Sequence, residues 1–296
     1  DFTSGPATLH EKAIYIVEGR LYQVERFDHD NRKAFVRAVE CDYYTDAITH
    51  TKVTILETFE GAHLERQAEA TLSSAAALAA GLDDEGSAPA SHSLEPVPPP
   101  ETGLRSHGEV HVVSRVVGFK KIKFYTNENV GSGELDLPEQ QMHTTSYWLM
   151  IPRQTMASLP YGSADRRDGV IGLAHAMRNV APLLLMCDGH DLGLSIDGVS
   201  LEGGNRLGGR SRGQAPDLNA EPIVFLYDNY PGGIGLSEPL FAMHDALIAK
   251  TRELIDGCPC HSGCPSCVGP EGASGPLAKS VASHLLELLA GHSVPA

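Results

Sequence analysis

Cys258-Pro259-Cys260-His261-Ser262-Gly263-Cys264-Pro265-Ser266-Cys267 gathers four of the chain's six cysteines into ten residues. A disulfide framework spreads its cysteines along a secreted chain. Four thiols this close, with no secretion signal in view, read instead as a metal site in a reducing compartment. Cys264-x-x-Cys267 is the turn that lets two thiolates face one ion, and Cys258-x-Cys260 is a tighter pair. Gly263 permits the sharp backbone, while Pro259 and Pro265 stiffen it. Zinc held by four sulfurs at about 2.3 Å satisfies these donors, with an iron–sulfur cluster as the alternative. His261 is a spare donor beside a shell that four thiolates already fill. A filled shell leaves no position for water, so the expected Zn2+ is structural, not catalytic. Cys41 and Cys187 stand apart and are expected to be small buried hydrophobes.

Just before the cysteines, Leu236, Leu240, Met243, Leu247 and Leu254 form the apolar stripe of a helix that Gly257 stops. Ser237 is its expected N-cap, with Pro239 in the first turn. A last helix is expected near Leu277 to Ala290, carrying Leu277, Val281, Leu285 and Leu288. Ile223-Val224-Phe225-Leu226-Tyr227 reads as a short buried strand. Between that strand and the first helix lies Asp228-Asn229-Tyr230-Pro231-Gly232-Gly233-Ile234-Gly235. This is either a tight structural turn or a phosphate cradle at a helix N-terminus, without the Gly-Lys-Ser/Thr ending of a P-loop. Ser146 to Ile151 is strand-like, and a polar, Gly-rich loop covers Gly203 to Asp217. Asp168 is expected to cap a helix running from Gly169 toward Val180, with Pro182 kinking or ending it.

Toward the N-terminus the texture is β. Ala13–Val17, Leu21–Phe27, Ala34–Val39, Thr51–Thr58, Glu109–Val113 and Gly118–Tyr125 are strand candidates, separated by turn residues. Residues 65–104 are rich in Ala, Ser, Pro and Gly and have too few large apolar side chains for a core, so they read as a flexible insertion. The expected fold class is α+β: a small β-barrel-like module over 1–140, interrupted at 65–104, then an α/β zinc-binding domain over 141–296.

Lys and Arg number 23 against 38 Asp and Glu, a net charge of −15, which excludes nucleic-acid binding by the whole surface. Any DNA contact needs a local patch. The densest is Lys120, Lys121 and Lys123 near Arg115, with Phe119, Phe124 and Tyr125 interleaved. The competing reading is a strand edge guarded by lysines. His107-Gly108-Glu109-Val110-His111 sets three metal-capable groups on one face of a strand, either as the site of a stand-alone metal-dependent hydrolase or as a solvated face. The deaminase order of H-x-E followed by Pro-Cys-x-x-Cys is not met. The longest apolar run, Val180 to Cys187, is eight residues against the roughly 20 a membrane helix needs, so no membrane partner is expected. A start at Asp1 with neither Met nor a signal-like segment reads as a cytoplasmic piece cut from a longer chain.

Strand, Asp228-x-x-Pro231-Gly232-Gly233-x-Gly235, amphipathic helix and then Cys258-x-Cys260-x-x-x-Cys264-Pro-Ser-Cys267 resembles the C-terminal zinc-binding domain of bacterial superfamily-two DEAD/DEAH-box DNA helicases of the mitomycin repair factor type. Tyr22-x-Val24, Asp42-Tyr43-Tyr44-Thr45 and Val117-Gly118-Phe119-Lys120-Lys121 resemble the β module that precedes it. The resemblance implies RecA-like motor domains upstream in the same chain, using ATP and Mg2+ and moving on DNA during repair. The present sequence has neither a Walker A lysine nor an Asp-Glu-x-His box, so this stretch itself is expected not to hydrolyse ATP. The implied role is a monomeric accessory region that braces the motor and guides DNA, single-stranded in the first instance. A protein-docking module without nucleic-acid binding is the remaining alternative.

Overall fold

The computed structural model describes residues 5–61, 104–126, 128–197, 221–269 and 275–290. The insertion expected at 65–104 falls outside these residues up to position 103, as does the expected Gly203–Asp217 loop. The chain groups into two compact units, Asp1–Thr54 with His111–Met142, and Ile55–Val110 with His143–Ala296.

The first unit begins with a single helical turn, α1 (Gly5–Leu9), followed by β1 (Ile14–Val17), β2 (Arg20–Asp28) and β3 (Lys33–Ala38). These strands form an open antiparallel sheet in the order β1-β2-β3, with Ile14 opposite Gln23 and Val24 opposite Val36. Alternation along β2 carries Val24 inward, where it is buried, and leaves both sheet edges with exposed apolar residues, among them Ile16 and Val36. β4 (Tyr43–Gly61) and β5 (Leu104–Lys123) each contribute residues to both units. The two strand candidates read around Glu109 and Gly118 are one continuous strand in β5. Val110, Val112, Val116 and Phe119 supply buried side chains across the polar Ser114-Arg115 step, so nothing forces a break there. β6 (Asn129–Glu134) pairs antiparallel with β5, with a bulge between Lys121 and Ile122.

The larger sheet has the order β4-β5-β7-β9-β8, and the second unit holds most of β7 (Gln140–Met150) and all of β9 (Ile223–Asp228) and β8 (Leu192–Asp197). β9 lies centrally between β7 and β8, and its Val224, Phe225, Leu226 and Tyr227 are all buried, as the unbroken apolar run requires. α2 (Arg153–Ser158) leads into α3 (Ser163–Leu185), the longest helix among the described residues, which packs against α5 (His244–Gly257), α6 (Ala278–Ala290) and β8. α3 begins five residues before Asp168, at a Gly162 N-cap with extended backbone, so Asp168 is not its cap. Ser163 and Ala164 cost nothing in the first turn and Asp165 suits the positive end of the dipole there. Pro182 sits in the last turn, and the helix ends three residues later at Leu185, with Met186 taking left-handed backbone as its C-cap. The expected single helix after Gly235 is two. α4 (Ser237–Ala242) and α5 are separated at Met243, whose N–H turns back to the Phe241 and Pro239 carbonyls. Ser237 is the first helical residue and makes no side-chain cap; Leu236 holds the cap position. The core of this unit runs from Tyr147, Leu149 and Ile151 through the buried length of α3 to Leu247, Ile255, Val281, Leu285 and Leu286, and it includes Cys267 and Val268. No helix among the described residues is long and apolar enough to cross a membrane.

Candidate metal centre

α5 ends at Gly257, and Cys258 leaves it in extended backbone. From there the chain folds back so that four thiols meet. Cys258 Sγ lies 3.4 Å from Cys260 Sγ and 3.6 Å from Cys264 Sγ. Cys267 Sγ lies 3.5 Å from Cys260 Sγ and 3.6 Å from Cys264 Sγ. All four ligand atoms fall within 4.8 Å of one another, and none is in a disulfide. A tetrahedron with 2.3 Å arms has six edges of about 3.8 Å; four of the six sulfur pairs lie at 3.4–3.6 Å and the other two within 4.8 Å, a spread that one zinc ion can draw together.

The loop is built for this closure. Cys267 and Val268 N–H both donate to the Cys264 carbonyl (3.0 and 3.1 Å), and Cys264 N–H points at Cys267 Sγ (3.3 Å). Gly263 has φ +121°, and a Cβ there would meet Val268 Cγ2 at 2.3 Å, so both backbone and space demand glycine. Cys267 is fully buried in the core, while Cys258, Cys260 and Cys264 are half-buried against it. His261 is exposed and stays outside the group of four.

The thiols differ in how readily they ionise. Burial pushes the Cys267 thiol up to about 12, with the neighbouring thiols adding to it. Burial also opposes ionisation of Cys264, but hydrogen bonds from Cys258 and from the backbone outweigh it and bring that thiol to about 7. The protein thus favours one thiolate and resists the last one. Four thiolates together need a dication at their centre.

Two side chains from elsewhere fasten the loop. Lys279, in the first turn of α6, donates from Nζ to the Cys258 and Cys260 carbonyls at 2.6 Å each. Asn179, on α3, donates from Nδ2 to the Ser266 carbonyl at 3.1 Å. The ammonium also places positive charge beside a ligand set that carries net −2 once zinc is bound. Replacing Lys279 by Met is expected to speed zinc loss to a chelator roughly tenfold, in line with the effect of losing a metal site's supporting contacts. Release followed with a chromogenic chelator checks it, and equal rates for the two proteins contradict it.

The glycine-rich turn is occupied by the protein itself. Asp228 closes β9 with its side chain fully buried. Its Oδ2 accepts from the N–H groups of Ile234 (2.7 Å), Gly235 (2.9 Å) and Leu236 (3.2 Å), and from the Thr145 hydroxyl (3.1 Å). Gly233, at φ +73°, leaves no room for a Cβ, which would lie 2.6 Å from Thr145 Oγ1. The anion-binding nest that a phosphate would use therefore already holds a carboxylate, and the turn is a structural one.

The other candidates separate. His107 is buried, with Phe59 and Phe241 rings against it at 5.8 and 4.8 Å, so the face bearing it is not solvated as expected. The strand is apolar on both sides at that point, which the sequence of β5 alone does not reveal. Glu109 is half-exposed and lies 3.6 Å from His143, and His111 belongs to the other unit. Among the described residues the only cluster of metal-capable groups is the four cysteines. Cys41 and Cys187 are half-buried, less enclosed than expected. In the first unit, Arg115 is engaged by Asp136, Lys123 lies 3.8 Å from Asp42, Lys121 Nζ stands 5.1 Å over the Tyr43 ring, and Lys120 is half-buried opposite Ser132.

Residues 173–268 match the family model of the MrfA Zn-binding domain. Over 271 residues the chain is 32% identical to the uncharacterized ATP-dependent helicase YprA of Bacillus subtilis (strain 168), an alignment covering 92% of this chain and 29% of that protein. ATP-dependent helicase HRQ1 of Saccharomyces cerevisiae is 23% identical over 291 residues, 97% of this chain and 23% of its own. Among solved structures, the DUF1998 helicase MrfA bound to DNA aligns with a TM-score of 0.53 and 31% identity, covering 98% of this chain and 31% of that one. A further MrfA crystal structure aligns at TM-score 0.54 and 26% identity, covering 97% and 31%. The chain thus spans less than a third of the length of these helicases.

Proposed function

We propose, on the premise that this chain carries a MrfA zinc-binding domain, that it is the accessory C-terminal region of an ATP-dependent DNA helicase of that type. In this reading Cys258, Cys260, Cys264 and Cys267 hold one structural Zn2+, and the region braces the motor and guides DNA during repair. The observation that carries it is that the four thiols gather within 4.8 Å of one another, four of their six pairs at 3.4–3.6 Å, inside the matched segment 173–268. ATP and Mg2+ belong to RecA-like domains upstream in the parent chain. The working form is a cytoplasmic monomer, and the DNA is single-stranded.

The chain's own residues set how it meets DNA. At net −15 the average surface repels phosphate, so contact falls to the β5 strand. Arg115 is taken up by Asp136, which leaves the lysines. Lys121 and Lys123 both reach toward the Asp42-Tyr43 step, and the exposed pair of Lys123 with Asp42 is weak enough for a phosphate to displace. Each neutralised phosphate on single-stranded DNA adds about 0.7 to the slope of log affinity against log salt. Changing Lys121 and Lys123 together to Ala in the parent helicase is expected to weaken single-strand binding and flatten that slope by about 1.4. Unchanged affinity and slope place the DNA path elsewhere.

A further inference from the structure

The tip of the β5–β6 hairpin holds an aromatic residue in a conformation that does not suit it. Tyr125 has φ +68°, and the Thr126 N–H reaches back across it to the Phe124 carbonyl at 2.8 Å. A two-residue bond over a residue of positive φ is the strained form of the γ-turn, and a bulky side chain there is a true outlier. The backbone on either side is fixed. Lys123 N–H donates to the Glu128 carbonyl and Phe124 N–H to the Asp42 carbonyl, both at 2.9 Å. Glycine meets the demands of this turn without strain, yet the position carries a tyrosine whose side chain is wholly in solvent, at 102% relative exposure. Strain held at an exposed side chain points from the outlier toward a function.

The surroundings say which function. Phe124 stands beside Tyr125 at 6.4 Å between ring centroids and packs against Tyr44 at 5.7 Å, so the tip is backed by a row of rings. Lys121 and Lys123 lie on the strand just below it. Of the nearby acids, Asp42 is taken up by Lys123 and Glu128 accepts from the Thr126 hydroxyl at 3.5 Å. An exposed ring on a braced turn, with lysines one and three steps back along the strand from Phe124, is the pairing that single-stranded nucleic acid requires: a π face for a base and ammonium groups for its phosphates. We infer that Tyr125 is a stacking platform for an unpaired nucleobase, working with Lys121 and Lys123 on the adjoining phosphates. This rests on the DNA-guiding reading above and names the residue that contacts a base.

The test uses the 296-residue chain and a single-stranded oligonucleotide carrying 2-aminopurine, whose fluorescence falls on stacking, titrated at low salt. The wild type is expected to quench it. Tyr125→Gly is expected to abolish the quench and lower affinity about 5- to 150-fold, the range for one stacked base. Its melting temperature is expected to hold or rise, because glycine accepts the left-handed backbone. Tyr125→Trp is expected to keep both quench and affinity. Changing Lys121 and Lys123 to Ala is expected to cut affinity but keep the quench at saturation. If Tyr125→Gly binds and quenches like wild type while the lysine variant binds weakly, the stacking assignment is overturned and the DNA-guiding reading stands. Absence of wild-type binding overturns both.

Discussion

Removing the metal with a chelator, or replacing Cys264 with Ser, is expected to destabilise the second unit strongly. Binding of structural zinc supplies about 10–16 kcal/mol in small zinc peptides, as much as the whole stability of an ordinary domain. Here Cys267 and Val268 are part of the core itself, and the loop joins the end of α5 to the start of α6 through Lys279. Loss of the ion leaves four crowded thiols, one of them buried, in place of a fixed corner. Even a third of that energy shifts the melting temperature of a unit this size by about 10 °C or more. The expected result is one zinc per chain with four sulfurs near 2.3 Å by X-ray absorption, and a fall of at least that size on chelation, seen by circular dichroism. Acid acts the same way, since the ligands must shed their protons to bind. A mixed nitrogen and sulfur shell, or a melt indifferent to chelator, contradicts the ligand assignment.

Asp228→Ala is expected to cost about 3 kcal/mol or more. One carboxylate oxygen satisfies three successive backbone N–H groups and a hydroxyl, and its removal strands them all beside the start of α4. Groups bonded to a charged partner lose about 1.5–3 kcal/mol each when it goes, with water repaying part at this half-buried turn. Asp228→Asn keeps an oxygen in place and is expected to cost about half as much. Urea unfolding of the three proteins checks the order. Equal midpoints show that the turn holds without its carboxylate.

The metal centre was legible because its ligands are neighbours: ten residues contain all four, so spacing stood in for geometry. The central strand β9 was legible for a similar reason, being an unbroken apolar run with a glycine-rich turn beyond it. Helix boundaries were less so. Asp168 looks like a cap, yet its carboxylate accepts from Gly275 N–H, a partner 107 positions away that no local pattern announces. Lys279 and Asn179 support the cysteine loop from 19 to 21 and 87 positions off, and a lone lysine at the head of a helix reads equally well as solvent-facing. Asp228 carried a usable signal, since an Asp ending a strand before successive glycines is suited to bonding the N–H groups ahead of it. His107 misled because alternation assigns it to an outer face, and only tertiary packing brings Phe241 over that face.

The shortness of the cysteine loop also bears on the order in which the polypeptide assembles. Closing a ten-residue loop takes about 10–100 ns, so an ion can gather its ligands while the rest of the chain is still searching. The packing of α3 on α6 is a far longer closure, bridged by contacts such as that of Asp168 with Gly275 across 107 positions. Loop-closure cost rises with the logarithm of length, and distant contacts are the slow ones to form. A loaded centre fixes the exit of α5 against the entry of α6 in advance, so α3 meets two helices already set at an angle to each other. Refolding with zinc present from the start is therefore expected to be faster than refolding with zinc added late, a difference stopped-flow circular dichroism would read.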